Sequence, residues 1–290
     1  MATTDQLSEA DPGSASSFLA DGAFPVADRS RPENSLRVLL PQTLLQTQRL
    51  LLRLWRNPAT ILHALLLPVL FLFTLDIVLG DTVSTITGRS ALYGSVPMVT
   101  IVGVFSGASV GAIGIMRERA DGLMARLWVV PIHRASGLLS RMLAEVVRVF
   151  VTALVILAIG LVLGMRLEQG WLAALGWLSV PVIFGVAFAC LVTTVALYVR
   201  ITLLVETLTL VNSLGIFFCT GFVPLDQYPE WAQPIVEHQP MTYAVEAMRG
   251  MSVGGPVLQP FLAVVAWSVG IVAVCIVPMV IGYRRASRHN

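Results

Sequence analysis

Residues 93–137 read YGSVPMVTIVGVFSGASVGAIGIMRERADGLMARLWVVPIHRASG, and the change of character inside them decides how the chain is built. Up to Ile115 there is no charge, over the length that a helix rising about 1.5 Å per residue needs to cross roughly 30 Å of hydrocarbon. Segment 116–137 then brings Arg117, Glu118, Arg119, Arg126 and Arg134, which hydrocarbon cannot solvate. An apolar span therefore ends where a segment outside the bilayer begins. Leu123, Met124 and Leu127 fall on one face of a short helix there, Arg126 points elsewhere, and Pro131 disfavours helical geometry at Val130. Two readings stand: a cytosolic docking element of a membrane transporter, or a solvated loop whose arginines merely fix topology.

The whole chain shares this bias. Of its 290 residues 56% are hydrophobic and 12% charged, with a mean hydropathy of +0.79, the composition of an integral membrane protein. A net charge of +2 gives no argument for a nucleic-acid partner. All 19 basic residues are arginine. Without lysine there is no Walker A lysine, Schiff-base lysine or lysine base, so the chain cannot itself be a P-loop ATPase. Cys190, Cys219 and Cys275 lie in or beside apolar runs with no CxxC pair and no His cluster, and read as small buried hydrophobes with no metal or disulfide.

Residues 1–34, rich in Ser, Ala, Asp, Gly and Pro, read as a disordered cytosolic tail that is not cleaved for export. Residues 35–57 hold an amphipathic helix expected from Pro41 to Arg56, with proline near its first turn. Leu44, Leu45, Leu51, Leu52 and Trp55 form its apolar face, and Gln42, Gln46, Arg49, Arg53 and Arg56 the other. Such a helix lies in the membrane interface with arginines toward anionic headgroups, or docks on protein. Residues 58–290 form an all-α membrane domain with six spans at 59–79, 93–115, 140–164, 172–198, 203–222 and 257–281. Most arginines precede the first span, lie between the second and third, or end the chain; the opposite side holds only Arg89, Arg166 and Arg249. The positive-inside rule then places both termini in the cytosol.

Gly103, Gly107 and Gly111 repeat every four residues, as do Gly160 and Gly164, and such stripes are expected to pack helices closely inside the bundle. His63, Asp76, Glu145, Arg148 and Glu206 read as lying nearer the ends of spans than their middles, with Glu145 and Arg148 able to pair. The midplane is then empty of charge, and Asn212, its most central polar side chain, is expected to make an interhelical hydrogen bond. Residues 221–256, broken by Pro224, Pro229, Pro234, Pro240 and Pro256 and carrying Tyr228, Trp231 and Tyr243, read as an extracytoplasmic hairpin of two short helices in the outer leaflet. Pro240 is placed to begin one of them, on which Glu246 and Arg249 can pair.

These features together resemble the permease subunits of ABC-2 type exporters. Arg117-Glu118-Arg119 through Gly122-Leu123 to Pro131 is similar to that family's E-R-x-x-G and leucine-proline stretch; 218–249, with Pro224, Pro229, Trp231, Pro240 and Arg249, is similar to its signature before the final span. The likeness is closer to the daunorubicin/doxorubicin-resistance permeases of actinobacteria, in particular the mycobacterial C-type subunit, through QTLLQT at 42–47, ARLW at 125–128, HRASGL at 133–138, TTVALY at 193–198 and IGYRRAS at 281–287. The resemblance covers about residues 36–289. It implies the six-span fold of these exporters, with Arg117, Glu118, Arg119, Gly122, Leu123, Leu127 and Pro131 as a coupling element that takes movement from a cytosolic ABC ATPase, and the 41–56 helix beside it. It also implies two ATPase copies that hold the ATP and magnesium, a second permease subunit of B type, a plasma-membrane location, and a hydrophobic or amphipathic cargo such as anthracycline-like drugs or phthiocerol dimycocerosate lipids. No cofactor is expected on this chain and no catalytic residue.

Other functions remain open beside it. An ABC-2 permease for polysaccharide shares the signature. A membrane enzyme acting on lipid would need a constellation such as His238 with Glu237, or Asp226 with Glu230, which read better as loop residues. An ion-coupled carrier would want an acid near mid-membrane and an internal repeat, and neither is evident.

Overall fold

The computed structural model describes residues 36–56, 58–121, 135–221 and 223–288. The expected tail at 1–34 and the coupling residues Gly122, Leu123, Leu127 and Pro131 lie outside those residues. No strand occurs among the described residues; the elements are α1 (Leu36–Trp55), α2 (Pro58–Thr87), α3 (Leu92–Ala120), α4 (Ser136–Val162), α5 (Gly170–Tyr198), α6 (Ile201–Phe217), a 3-10 turn (Leu225–Gln227), α7 (Gln233–His238), α8 (Pro240–Val253) and α9 (Leu258–Arg288). Four of these, α3, α4, α5 and α9, are long and apolar enough to cross a membrane. The apolar parts of α2, at Leu65–Val78, and of α6 are shorter.

Helices α3 and α5 form the buried centre, flanked by α4, α8, α9 and α2. Val96, Val99, Ile101 and Val104 of α3, Trp177 and Val180 of α5, and Val149 and Ile156 of α4 are wholly enclosed. Contact is close because glycine stands where backbones converge. A Cβ at Gly185 of α5 would come within 2.7 Å of Val104 and 2.9 Å of Val149, and one at Gly94 would strike the carbonyl of Gly221. Of the second glycine pair, Gly160 packs on Val96, whereas Gly164 has a φ of +111° with no atom near its Cβ position. It turns the chain out of α4 and does not pack, as a residue without a side chain can at that φ.

Several boundaries differ from the sequence reading. Helix α1 begins at Leu36, so Pro41 is its sixth residue and lies inside it, where proline removes one i→i−4 hydrogen bond. Helix α2 runs on past 79 to Thr87 and stops at Gly88, whose φ of +69° is a helix-ending conformation. Residues Val199 and Arg200 are extended and separate α5 from α6 as expected.

Helix α1 docks on the protein through its polar face. Thr43 and Thr47 are buried, Gln46 Nε2 donates to Ser136 Oγ at 3.1 Å, and Thr47 Oγ1 donates to the Ser140 carbonyl at 3.3 Å. Leu45 and Trp55 are 66% and 75% exposed, with Leu44 and Leu52 beside them. The docked and interfacial readings are thus compatible: polar groups hold the bundle, and leucines face outward where lipid would lie.

Glycine at a convergence point should be irreplaceable, and glycine facing open space should not. Gly185→Leu is expected to lower stability by about 1–3 kcal/mol through overpacking, whereas Gly270→Leu, whose Cβ meets nothing within 4 Å, should leave it near the original value. Thermal unfolding of both variants in detergent checks this; equal midpoints would refute the packing account.

Candidate functional site

The end of α3 is knitted to three other helices. Glu118, only 3% exposed, accepts a hydrogen bond from Arg53 Nη1 of α1 at 2.9 Å and pairs through its other oxygen with Arg141 of α4. Its neighbour Arg119 donates from Nη1 to the carbonyl of Leu197 in α5 at 3.0 Å. Helical geometry explains the division: Glu118 sits on the buried face of α3, while Arg117 is exposed and makes no ion pair among the described residues. Arg49 and Arg56 of α1 are also exposed. A carboxylate so enclosed needs its two guanidinium partners, since an unpaired buried charge is strongly unfavourable.

One helical turn to the next along α4, a second ion pair lies deeper. Glu145 Oε2 accepts from Arg148 Nε at 2.8 Å, with side-chain exposures of 13% and 10%, and Arg148 Nη2 donates to the Val104 carbonyl at 3.3 Å. Val104, Val149 and Gly185 meet, and each stands near the midpoint of its helix. Arg148 is therefore central in the bundle, and the expectation of an uncharged middle is corrected. The glycine stripe explains how it fits: Gly103 packs on Thr152 and Ile156, a Cβ on Gly107 would overlap the Arg148 guanidinium, and one on Gly111 would lie 2.6 Å from Glu145 Oε1. The stripe packs within the chain as expected, but at two positions it admits charged side chains instead of a bare backbone. Asn212 makes no such contact; its Oδ1 is enclosed without a hydrogen-bond partner among the described residues.

At the opposite end, residues 223–253 fold against the bundle. Pro224 precedes the 3-10 turn, the Pro229 carbonyl accepts from the Ala232 amide at 2.8 Å, and Pro240 occupies the first turn of α8. Tyr228 donates its hydroxyl to the carbonyls of Phe217 and Cys219, each at 3.0 Å, which fastens the turn to the end of α6. Burial, and to a lesser degree the nearby Cys219, raises the Tyr228 phenol above its usual value and keeps that donor in place. Glu246 accepts from Arg249 and from Thr220 Oγ1, each at 2.7 Å, so the expected pair forms and also holds the loop. Trp231 is exposed. Helix α8 buries Met241, Ala244, Val245 and Met248 against α3, α5 and α9. A cavity of about 710 Å³ opens beside it, lined by Tyr93, Pro224, Asp226, Tyr243 and Arg249 among others.

The sequence singled out Glu118 and Arg53, and the structure brings them together. It did not pair either with Arg141. Nor did it connect Gly107 with Arg148, which stand near the midpoints of α3 and α4.

Residues 41–252 match the protein-family model described as ABC-2 type transporter. The chain is 52% identical to the protein of Mycobacterium tuberculosis named probable doxorubicin resistance ABC transporter permease protein DrrC, over 89% of this chain and 93% of that one. It is 24% identical to the daunorubicin resistance ABC transporter permease protein DrrB1 of Streptomyces coeruleorubidus, over 82% of this chain and 87% of its relative.

If Glu118 holds α1 on the bundle, its neutralisation should free that helix first. Glu118→Gln is expected to raise hydrogen exchange in α1 at least several-fold while leaving α8 protected, because removing one partner of a buried charge group costs about 3–5 kcal/mol locally. Unchanged exchange in α1 would show that the threonine and glutamine contacts suffice.

Proposed function

Because the chain belongs to the ABC-2 type transporter family, within its doxorubicin/daunorubicin-resistance permeases, we propose that it is the transmembrane permease subunit of an ATP-driven exporter. The observation that carries the proposal is the knot at the end of α3. Glu118 and Arg119 join α3 to α1, α4 and α5 where segment 122–134 departs, so displacement of that segment is passed to several helices together. Arg117, Glu118, Arg119, Gly122, Leu123, Leu127 and Pro131 make up the coupling element, with Arg49, Arg53 and Arg56 beside it.

ATP and magnesium are held by a separate cytosolic ATPase present in two copies, a division that the absence of lysine from this chain supports. The transmembrane domain counts six spans, the apolar parts of α2 and α6 joining the four long helices, in the plasma membrane with both termini cytosolic. Residues 221–256 form the hairpin that enters the outer leaflet, and the cavity at its side suits release of cargo. A second permease of B type completes the path. The cargo is hydrophobic or amphipathic, an anthracycline-like drug or a complex envelope lipid of the phthiocerol dimycocerosate kind, and membrane lipid surrounds the exposed leucines.

Co-expression with the cognate ATPase tests this. The native chain is expected to recover a stoichiometric ATPase in a pull-down, and the Leu123→Asp/Leu127→Asp chain to lose it while eluting as the same folded species. Full recovery by the substituted chain would remove the coupling assignment; a chain that recovers no ATPase would remove the exporter reading.

A further inference from the structure

Between α1, α3, α4 and α5 lies a second cavity, of about 530 Å³, within the roughly 300–1,000 Å³ of small-molecule sites. It extends from Glu118 along α3, past Gly114 and Gly111, to Ala108 beside the Glu145–Arg148 pair. One side is apolar, with Leu50, Leu51 and Leu54 of α1. Arg53 of the same helix, with Arg117, Arg141 and Arg148, adds four guanidinium groups against two carboxylates, Glu118 and Glu145.

The carboxylates are already engaged, Glu118 by Arg53 and Arg141 and Glu145 by Arg148. The cationic side is not used up. Arg117 makes no ion pair among the described residues, and Arg148, nine-tenths buried, spends Nε and Nη2 on Glu145 and Val104 while Nη1 donates to no described group. A guanidinium has five donors and no acceptor, so what remains can only be met by an acceptor.

We propose that this cavity is a binding site for a membrane amphiphile with an anionic head, a carboxylate or phosphate, whose oxygens are taken by Arg148 and Arg117 and whose chain lies along the leucines of α1. The excess of positive charge disfavours a cationic amine here, and leucines beside guanidinium groups fit a two-part ligand better than a free anion. The site does not rest on the exporter reading above.

The probe is diazirine-tailed phosphatidic acid, with the matching diacylglycerol as its neutral counterpart, each in phosphatidylcholine nanodiscs holding the full chain. Phosphatidic acid is expected to label peptides of α1, α3 and α4 about tenfold more than diacylglycerol, the effect of one charge-assisted hydrogen bond. Gly114→Leu fills the cavity from a position whose Cβ meets nothing within 4 Å, leaves both ion pairs intact, and should bring labelling down to the diacylglycerol level. The paired change Glu145→Gln/Arg148→Gln, which leaves no lone charge, should do likewise. Equal labelling by the two lipids, labelling untouched by Gly114→Leu, or full displacement by inorganic phosphate alone would overturn the proposal. Because labelling needs no ATPase, a chain that binds phosphatidic acid here yet recovers no ATPase upholds the site and removes the exporter; the reverse result removes the site alone.

Discussion

An arginine in the middle of an apolar bundle must be met by acceptors, because hydrocarbon cannot solvate it, and much of this structure follows from how Arg148 is met. Its guanidinium takes Glu145 from its own helix and the Val104 carbonyl from α3. That is possible only because α3 presents Gly107 and Gly111 at the same level. The small residues thus do more than bring two helices together. They let a charged pair occupy the seam, with α5 closing over it through Gly185. Burying such a pair is weak grounds for added stability. Its persistence at the centre of a transport protein fits a site that handles polar groups.

The same rule operates at the end of α3, on a larger scale. Glu118 gathers Arg53 and Arg141 from two helices, and Arg119 reaches a backbone carbonyl on a third. Charged hydrogen bonds are directional and strong when enclosed, so these helices cannot slide past one another at that end without breaking them. Helix α1 is held by this group and by Gln46 and Thr47, with Leu44, Leu45 and Leu52 outward. Helix α1 is thereby attached to a residue in the last turn of α3.

Legibility in the sequence varied with the range of the interaction. The pairs Glu145–Arg148 and Glu246–Arg249 could be read from a spacing of three, since neighbours on a helix are fixed by its period. The break at Val199 and Arg200 was visible as a short gap between apolar runs. The helical continuation of α2 to Thr87 was not, because hydropathy reports where lipid-compatible residues end and not where the helix ends. Pro41 misled in the same way: proline marks a first turn often, but one missing donor does not stop a helix whose polar face is docked.

Composition, periodicity and arginine placement determined by themselves that this is a helical membrane protein without its own ATPase, with a charged segment after one span and a proline-broken stretch before the last. Those properties depend on local chemistry and on the cost of placing charge in hydrocarbon, which each residue carries wherever the chain goes. Only the tertiary structure decided that Glu118 faces inward to Arg53 and Arg141, that Arg148 lies beside Gly107 at mid-bundle, and that the polar side of α1 is the one against the protein. Each of these joins residues on different helices. The rotation of each helix about its axis, which selects the face it buries, is set by packing against all its neighbours at once.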